Sequence, residues 1–252
     1  MKTSFKKILK YSLFTIIFCF TLLAVFISNP IFLYANKTEY KNFTIYHNQP
    51  LTTNLAESFV IDLKTLKNSE IYDKNIKIDI CLNDGSTYPK FIETFMGADV
   101  IRSFANKTVF HSVINTSSTE FMTKKEWNEN FKVSQWVTHS FVHCLQFKKL
   151  GLFGSNPIAK IPEWKWEGYA ECFSIQTNQD LKSLITLQLI SEKNRFNWVK
   201  IDDFKTTSDH IKYLVLMKYC IEIKKMKFKE IIRSKNSENA TYCEMLNWYK
   251  QK

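Results

Sequence analysis

The chain has 252 residues, is 45% hydrophobic and 23% charged, and carries a formal net charge of +11. This fits one ordinary globular domain with an appendage, and five Gly and five Pro leave little material for long flexible linkers. The charge sits at the ends, in Lys2, Lys6, Lys7 and Lys10 and in ten Lys/Arg against four Asp/Glu from Ile211 to Lys252; no nucleic-acid-binding motif accompanies it, so nucleic acid is not an expected partner.

Residues 11–28, Y-S-L-F-T-I-I-F-C-F-T-L-L-A-V-F-I-S, hold no charge, and after Asn29-Pro30 the apolar character continues to Ala35. Crossing a bilayer takes about 20 residues, so 11–35 is read as a transmembrane segment. The lysines before it place the N-terminus in the cytoplasm and everything after about residue 36 outside. A cleaved signal peptide is the alternative. Its apolar region is normally about 7–15 residues and ends at a small-residue site, which Leu33-Tyr34-Ala35 matches poorly. The expected organisation is a membrane anchor over 1–35 and an extracytoplasmic domain over 36–252.

In the body, Y-K-N-F-T-I-Y-H (40–47) predicts a strand. Leu55, Phe59, Leu63 and Leu66 recur at helical spacing and predict a helix over 55–66. Alternation over 76–82 gives a strand, stopped by Asn83-Asp84-Gly85-Ser86. A helix over 88–95, a β-branched and aromatic strand over 107–114 and a polar loop at 115–118 follow. A central helix is expected from Trp127 or Phe131 to Leu150, ended by Gly151. Pro162 suits the first turn of the next helix, and further helices are expected over 180–191, 208–233 and 237–250. Strands before and helices after make the fold class α+β. Of the six cysteines, Cys19 lies in the apolar segment; the other five are odd in number, widely spaced and without a C-x-x-C. They read as buried thiols, with one or two bridges as the alternative outside the cytoplasm.

On the central helix, His139 and His143 stand four residues apart, which puts both imidazoles on one face. Glu167 on the next helix can bring a carboxylate to the same point. Two His and one Glu make a three-ligand zinc site with an open position, the catalytic rather than the structural form. Glu171, one turn further, is placed to accept a hydrogen bond from the outer nitrogen of a ligating imidazole. The plainer alternative is two structural histidines and a Glu that caps its helix.

T-H-S-F-V-H-C-L-Q and I-P-E-W-K-W-E-G-Y-A-E, within residues 136–171, resemble the gluzincin zinc metallopeptidases, whose pattern is T-H-E-x-x-H…P-x-W-x-x-E-G-x-A-E. The resemblance implies a zincin-like domain, with a small sheet before the motif helix and a helical C-terminal part. It implies zinc held by His139, His143 and Glu167, with Glu171 supporting the ligands. In that family the strand before the motif helix pairs with an extended peptide substrate, which nominates Lys107 to Ile114. A later His or Tyr stabilises the oxyanion, which nominates His210 with Tyr213 behind it. The departure is Ser140, where the family carries the Glu that takes and returns the proton. A serine hydroxyl is no base at neutral pH, and Glu163 is the nearby acid that could substitute. The expectation is a membrane-anchored, extracytoplasmic zinc-metallopeptidase-like protein, impaired or inactive in catalysis, that binds zinc and a peptide or protein. The alternatives are an active peptidase with a non-standard base and a metal-free, membrane-tethered interaction domain.

Overall fold

The structure, a computed structural model, describes residues 2–61, 66–97, 99–115, 120–122, 130–195 and 197–251. Helix α1 spans Lys2–Ser28. From residue 7 its side chains are almost all exposed, with a run of uncovered Ile, Leu and Phe that water would not tolerate. Lys7–Ser28 is long and apolar enough to cross a membrane, and it fits an anchor or a signal sequence equally. Two of its polar side chains are satisfied locally: the Thr15 and Thr21 hydroxyls donate to the carbonyls four residues back, at 3.0 and 2.9 Å. The helix stops before Pro30, which cannot continue the ladder. Of the predicted 11–35 segment, the part beyond Ser28 leaves the helix. Tyr34 is buried against the body and donates to the Leu82 carbonyl at 2.8 Å.

The body is a mixed α+β fold around a five-stranded sheet ordered β1-β2-β3-β5-β4. The predicted strand over 40–47 is a hairpin, β1 (Asn36–Tyr40) and β2 (Phe43–His47), turning at Lys41 with φ 53°. β2 runs parallel to β3 (Ile78–Asn83), and β3 parallel to β5 (Lys107–Val113). β4 (Ile101–Phe104) adds antiparallel to β5 and ends the sheet. Across β3 and β5, Asp79 faces Lys107 in register and accepts from its ammonium at 2.8 Å. Helices α2 (Thr53–Ile61) and α3 (Tyr88–Met96) lie between the strands in sequence. The helix predicted over 55–66 runs partly through residues 62–65, outside the described residues.

The short strands β6 (Glu120–Met122) and β7 (Asn130–Lys132) pair just before α4 (Val133–Leu150). The motif helix therefore starts later than Phe131, and Trp127 lies outside the described residues. From Val137 to Phe147 every residue of α4 is buried, because the sheet covers one side and the C-terminal helices the other. Phe141 meets the β2 ring of Phe43 edge-on, centroids 6.0 Å apart. After α4 come α5 (Glu163–Ser174), α6 (Leu181–Asn194), the hairpin β8–β9 (Trp198–Ile201, Phe204–Thr207) and α7 (Ser208–Lys218). The single helix expected over 208–233 is broken. A π-turn over Tyr219–Ile223 and Lys225 at φ 57° redirect the chain into α8 (Phe228–Arg233), and α9 (Glu238–Lys250) follows. The break lets Phe228 pack on Tyr169, ring centroids 4.5 Å apart.

Helices α5 and α7 approach so closely that only glycine fits at residue 168. A Cβ there would stand 2.7 Å from the Tyr213 carbonyl oxygen, which is backbone and cannot swing aside. Gly168→Ala should destabilise the domain by about 1–3 kcal/mol, read as a lowered thermal midpoint, because the two helices must separate. An unchanged midpoint would show that this approach is loose.

Candidate metal centre

Helix α4 presents His139 and His143 one turn apart, and α5 brings Glu167 in from the side. His139 Nε2 and His143 Nε2 are 3.0 Å apart, and Glu167 Oε2 lies 3.1 and 3.2 Å from them. Donors at about 2.0–2.1 Å from one tetrahedral ion stand about 3.3 Å apart, so the three atoms sit at the spacing of a shared cation. Among the described residues this is the one group of three or more His, Cys, Asp or Glu side chains able to hold a metal ion.

The hydrogen bonds behind the ligands fix the tautomers. Gln146 Nε2 donates to the Trp166 carbonyl at 3.0 Å, so its Oε1 faces His143 and accepts from Nδ1 at 2.7 Å. That leaves a lone pair on His143 Nε2, pointing at the centre. His139 Nδ1 lies 3.4 Å from Glu171 Oε1 and faces the same constraint. With both rings neutral, two nitrogen lone pairs and a carboxylate oxygen crowd one point. Only a proton or a metal cation relieves that crowding. Without a metal the proton does so. Burial opposes charge on His139, but its hydrogen bonds to Glu167 and Glu171 prevail and push its pKa up to about 10. Burial likewise raises the two carboxyls, and the imidazoles overcome it. Glu167 is held well below the usual carboxylate range and Glu171 down to about 2.

A metal must therefore displace the His139 proton. Binding releases that proton, so affinity should fall about tenfold per pH unit as pH drops below about 10. A chelator-competition series from pH 8.5 down to 6.5 reads the slope; a flat profile would show that no such proton is lost. Gln146→Leu removes the acceptor that orients His143 and should weaken metal binding by about 10–100-fold. Unchanged affinity would make Gln146 a packing residue only.

The centre opens into a cleft of about 710 Å³. Trp166 stacks on His143, ring centroids 5.3 Å apart and planes 15° from parallel, and forms one wall. Ser140 is buried on α4 and lines the cleft beside the ligands. His210, in the first turn of α7, also lines it, and its Nδ1 meets Glu171 Oε1 at 2.6 Å. Burial lowers the His210 pKa, but the Glu171 hydrogen bond outweighs it and the net shift is upward. Glu171 thus serves two imidazoles, where the sequence suggested one. Tyr213 packs beside His210, centroids 5.9 Å apart, and is not among the cleft-lining side chains. Glu163 opens α5 on the cleft wall, exposed, one turn before Glu167.

The strand nominated to meet a peptide is misplaced. Lys107–Val113 lies inside the sheet, hydrogen-bonded to β3 on one side and β4 on the other. The strand on the cleft is β4, through Ile101, Arg102 and Ser103. The β8–β9 hairpin, also missed in the sequence, supplies Trp198 and residues 205–207 to the opposite wall. Gln146, three residues past His143 on the same helix face, was also missed in the sequence. All six cysteines are free thiols.

Comparison of the chain with protein-family models, with curated proteins and with solved structures returned no match.

Proposed function

We propose that this chain is a membrane-tethered, gluzincin-like zinc protein that holds a peptide or protein ligand and hydrolyses it poorly or not at all. The observation that carries this reading is the convergence of His139 Nε2, His143 Nε2 and Glu167 Oε2 beside Ser140. The donor set, two imidazoles and one carboxylate, suits zinc. Zinc held there would polarise a carbonyl and lower the pKa of a bound water to about 7.

What the motif lacks is the proton acceptor after His139. Ser140 occupies the position where the resembled family carries its base. Three of the four cleft carboxylates are engaged: Glu167 in the ligand set, Glu171 between His139 and His210, and Asp99 on the Val100 N–H at 2.8 Å and beside Arg102; the fourth is Glu163. General-base assistance is worth about 10²–10⁴-fold, so hydrolysis falls by that order while binding survives. Among the described residues β4 has no strand on its outer edge, and that supports an extended ligand, which would add as a further strand through main-chain hydrogen bonds. His210, whose pKa the Glu171 hydrogen bond raises, lines the cleft where a carbonyl oxygen would lie. The lysines at the start of α1, ahead of its apolar stretch, favour an N-terminus in the cytoplasm and the cleft outside it.

Glu163 favours a second reading, an active peptidase with a displaced base, because it shares the cleft wall one turn from Glu167. Incubating the zinc-loaded full chain with extended peptides separates the two. Peptide retained uncleaved supports the first reading. Cleavage that stops on chelation and in Glu163→Gln establishes the second.

A further inference from the structure

The cleft has an unbalanced set of polar groups at its edge-strand wall. Arg102 on β4 lines it with a side chain 29% exposed. Its guanidinium offers five N–H donors. Among the described residues its one polar partner is Asp99, with Nη2 3.4 Å from Oδ2, longer than a charge-assisted bond of about 2.7–2.9 Å. Arg102 Nε is buried with no partner, and so is the Oγ of the neighbouring Ser103. A buried donor left unmade is costly, and the outer, partly exposed end of the Arg102 guanidinium is the part of β4 that can take an acceptor from outside the chain. Lys160 adds a second cation to the lining of the same cleft. Against them, the one cleft carboxylate without a cation partner in the described residues is Glu163. Ser140 adds to this bias. A carboxylate at that position would repel an anion from the metal's open side, and the hydroxyl does not.

We propose that the cleft selects a carboxylate-bearing peptide, which Arg102 grips at the β4 edge. A planar carboxylate matches the guanidinium fork bidentately, and a neutral amide cannot. The carboxylate is an acidic side chain or a free C-terminus. This deepens the zinc-dependent reading above and rests on it only for where the rest of the peptide lies.

The test uses the zinc-loaded full chain in detergent, with zinc content measured alongside and the fluorescence of the cleft tryptophans as readout. Three N-acetylated pentapeptides are titrated: Ala-Ala-Glu-Ala-Ala amide, its Gln twin, and penta-alanine with a free C-terminus. At least one carboxylate-bearing peptide should bind about 10–100-fold tighter than the Gln twin, and the arm that does so identifies the source. Arg102→Gln should erase that preference with zinc content unchanged, and Arg102→Lys, which keeps charge without the fork, should restore part of it. Equal binding of charged and neutral peptides, no binding of any, or a preference that survives in Arg102→Gln would overturn the proposal. A chain that takes up no zinc yet keeps the Arg102-dependent preference would remove the metal reading and leave this one standing.

Discussion

Ser140→Glu should raise peptide hydrolysis by about 10²–10⁴-fold over the parent chain. The ligands are already at the spacing of a shared ion, and Glu171 and Gln146 already hold the imidazoles from behind. What the substitution adds is a carboxylate on the α4 residue that follows His139 and lines the cleft. The added atoms have the cleft to enter, so the packing cost stays near the usual 1–3 kcal/mol or about that. Zinc content measured alongside turnover separates a failed fold from a failed mechanism. A variant that keeps its zinc and shows no gain would mean that a base operates elsewhere. Glu163→Gln is then the next change to read.

Glu167→Ala should lower zinc affinity by about 10²–10³-fold or more. Four-ligand structural sites bind with about 10–16 kcal/mol, so one ligand is worth roughly 2.5–4 kcal/mol. Glu171→Gln removes a supporting hydrogen bond rather than a ligand, and its loss should stay near 10–100-fold. The gap between the two variants assigns their roles. Chelator competition reads both, and equal losses would mean that Glu171 reaches the metal itself or that Glu167 does not.

The ligand set was legible because it is local chemistry. Four residues on a helix bring His139 and His143 to one face, and Pro162 opens a second helix at a distance that lets Glu167 return to them. The support of His143 by Gln146 was not legible in the same way, because an amide three residues on has no signature until its other end is seen on the Trp166 carbonyl. The sheet was harder. Parallel strands β3 and β5 announce themselves by composition, but their neighbours depend on contacts far apart in sequence. I-R-S-F of β4 is four residues with a charge, and only its pairing with β5 places it at the edge. The same holds for β8–β9, whose W-V-K-I and F-K-T-T are too short to stand out. The break near Lys225 lacks Gly or Pro. It is set by the burial of Phe228 against Tyr169, a long-range contact that overrides local helical pattern. The apolar start was clear, and its end at Ser28 rather than Ala35 follows from Pro30 and from Tyr34 reaching the body.

Zinc per chain in the purified full-length protein tests the metal centre most directly. Metal analysis at micromolar free zinc and neutral pH should find one zinc per parent chain and none in His139→Ala. A parent chain without zinc, or a His139→Ala variant that carries as much as the parent, would contradict it.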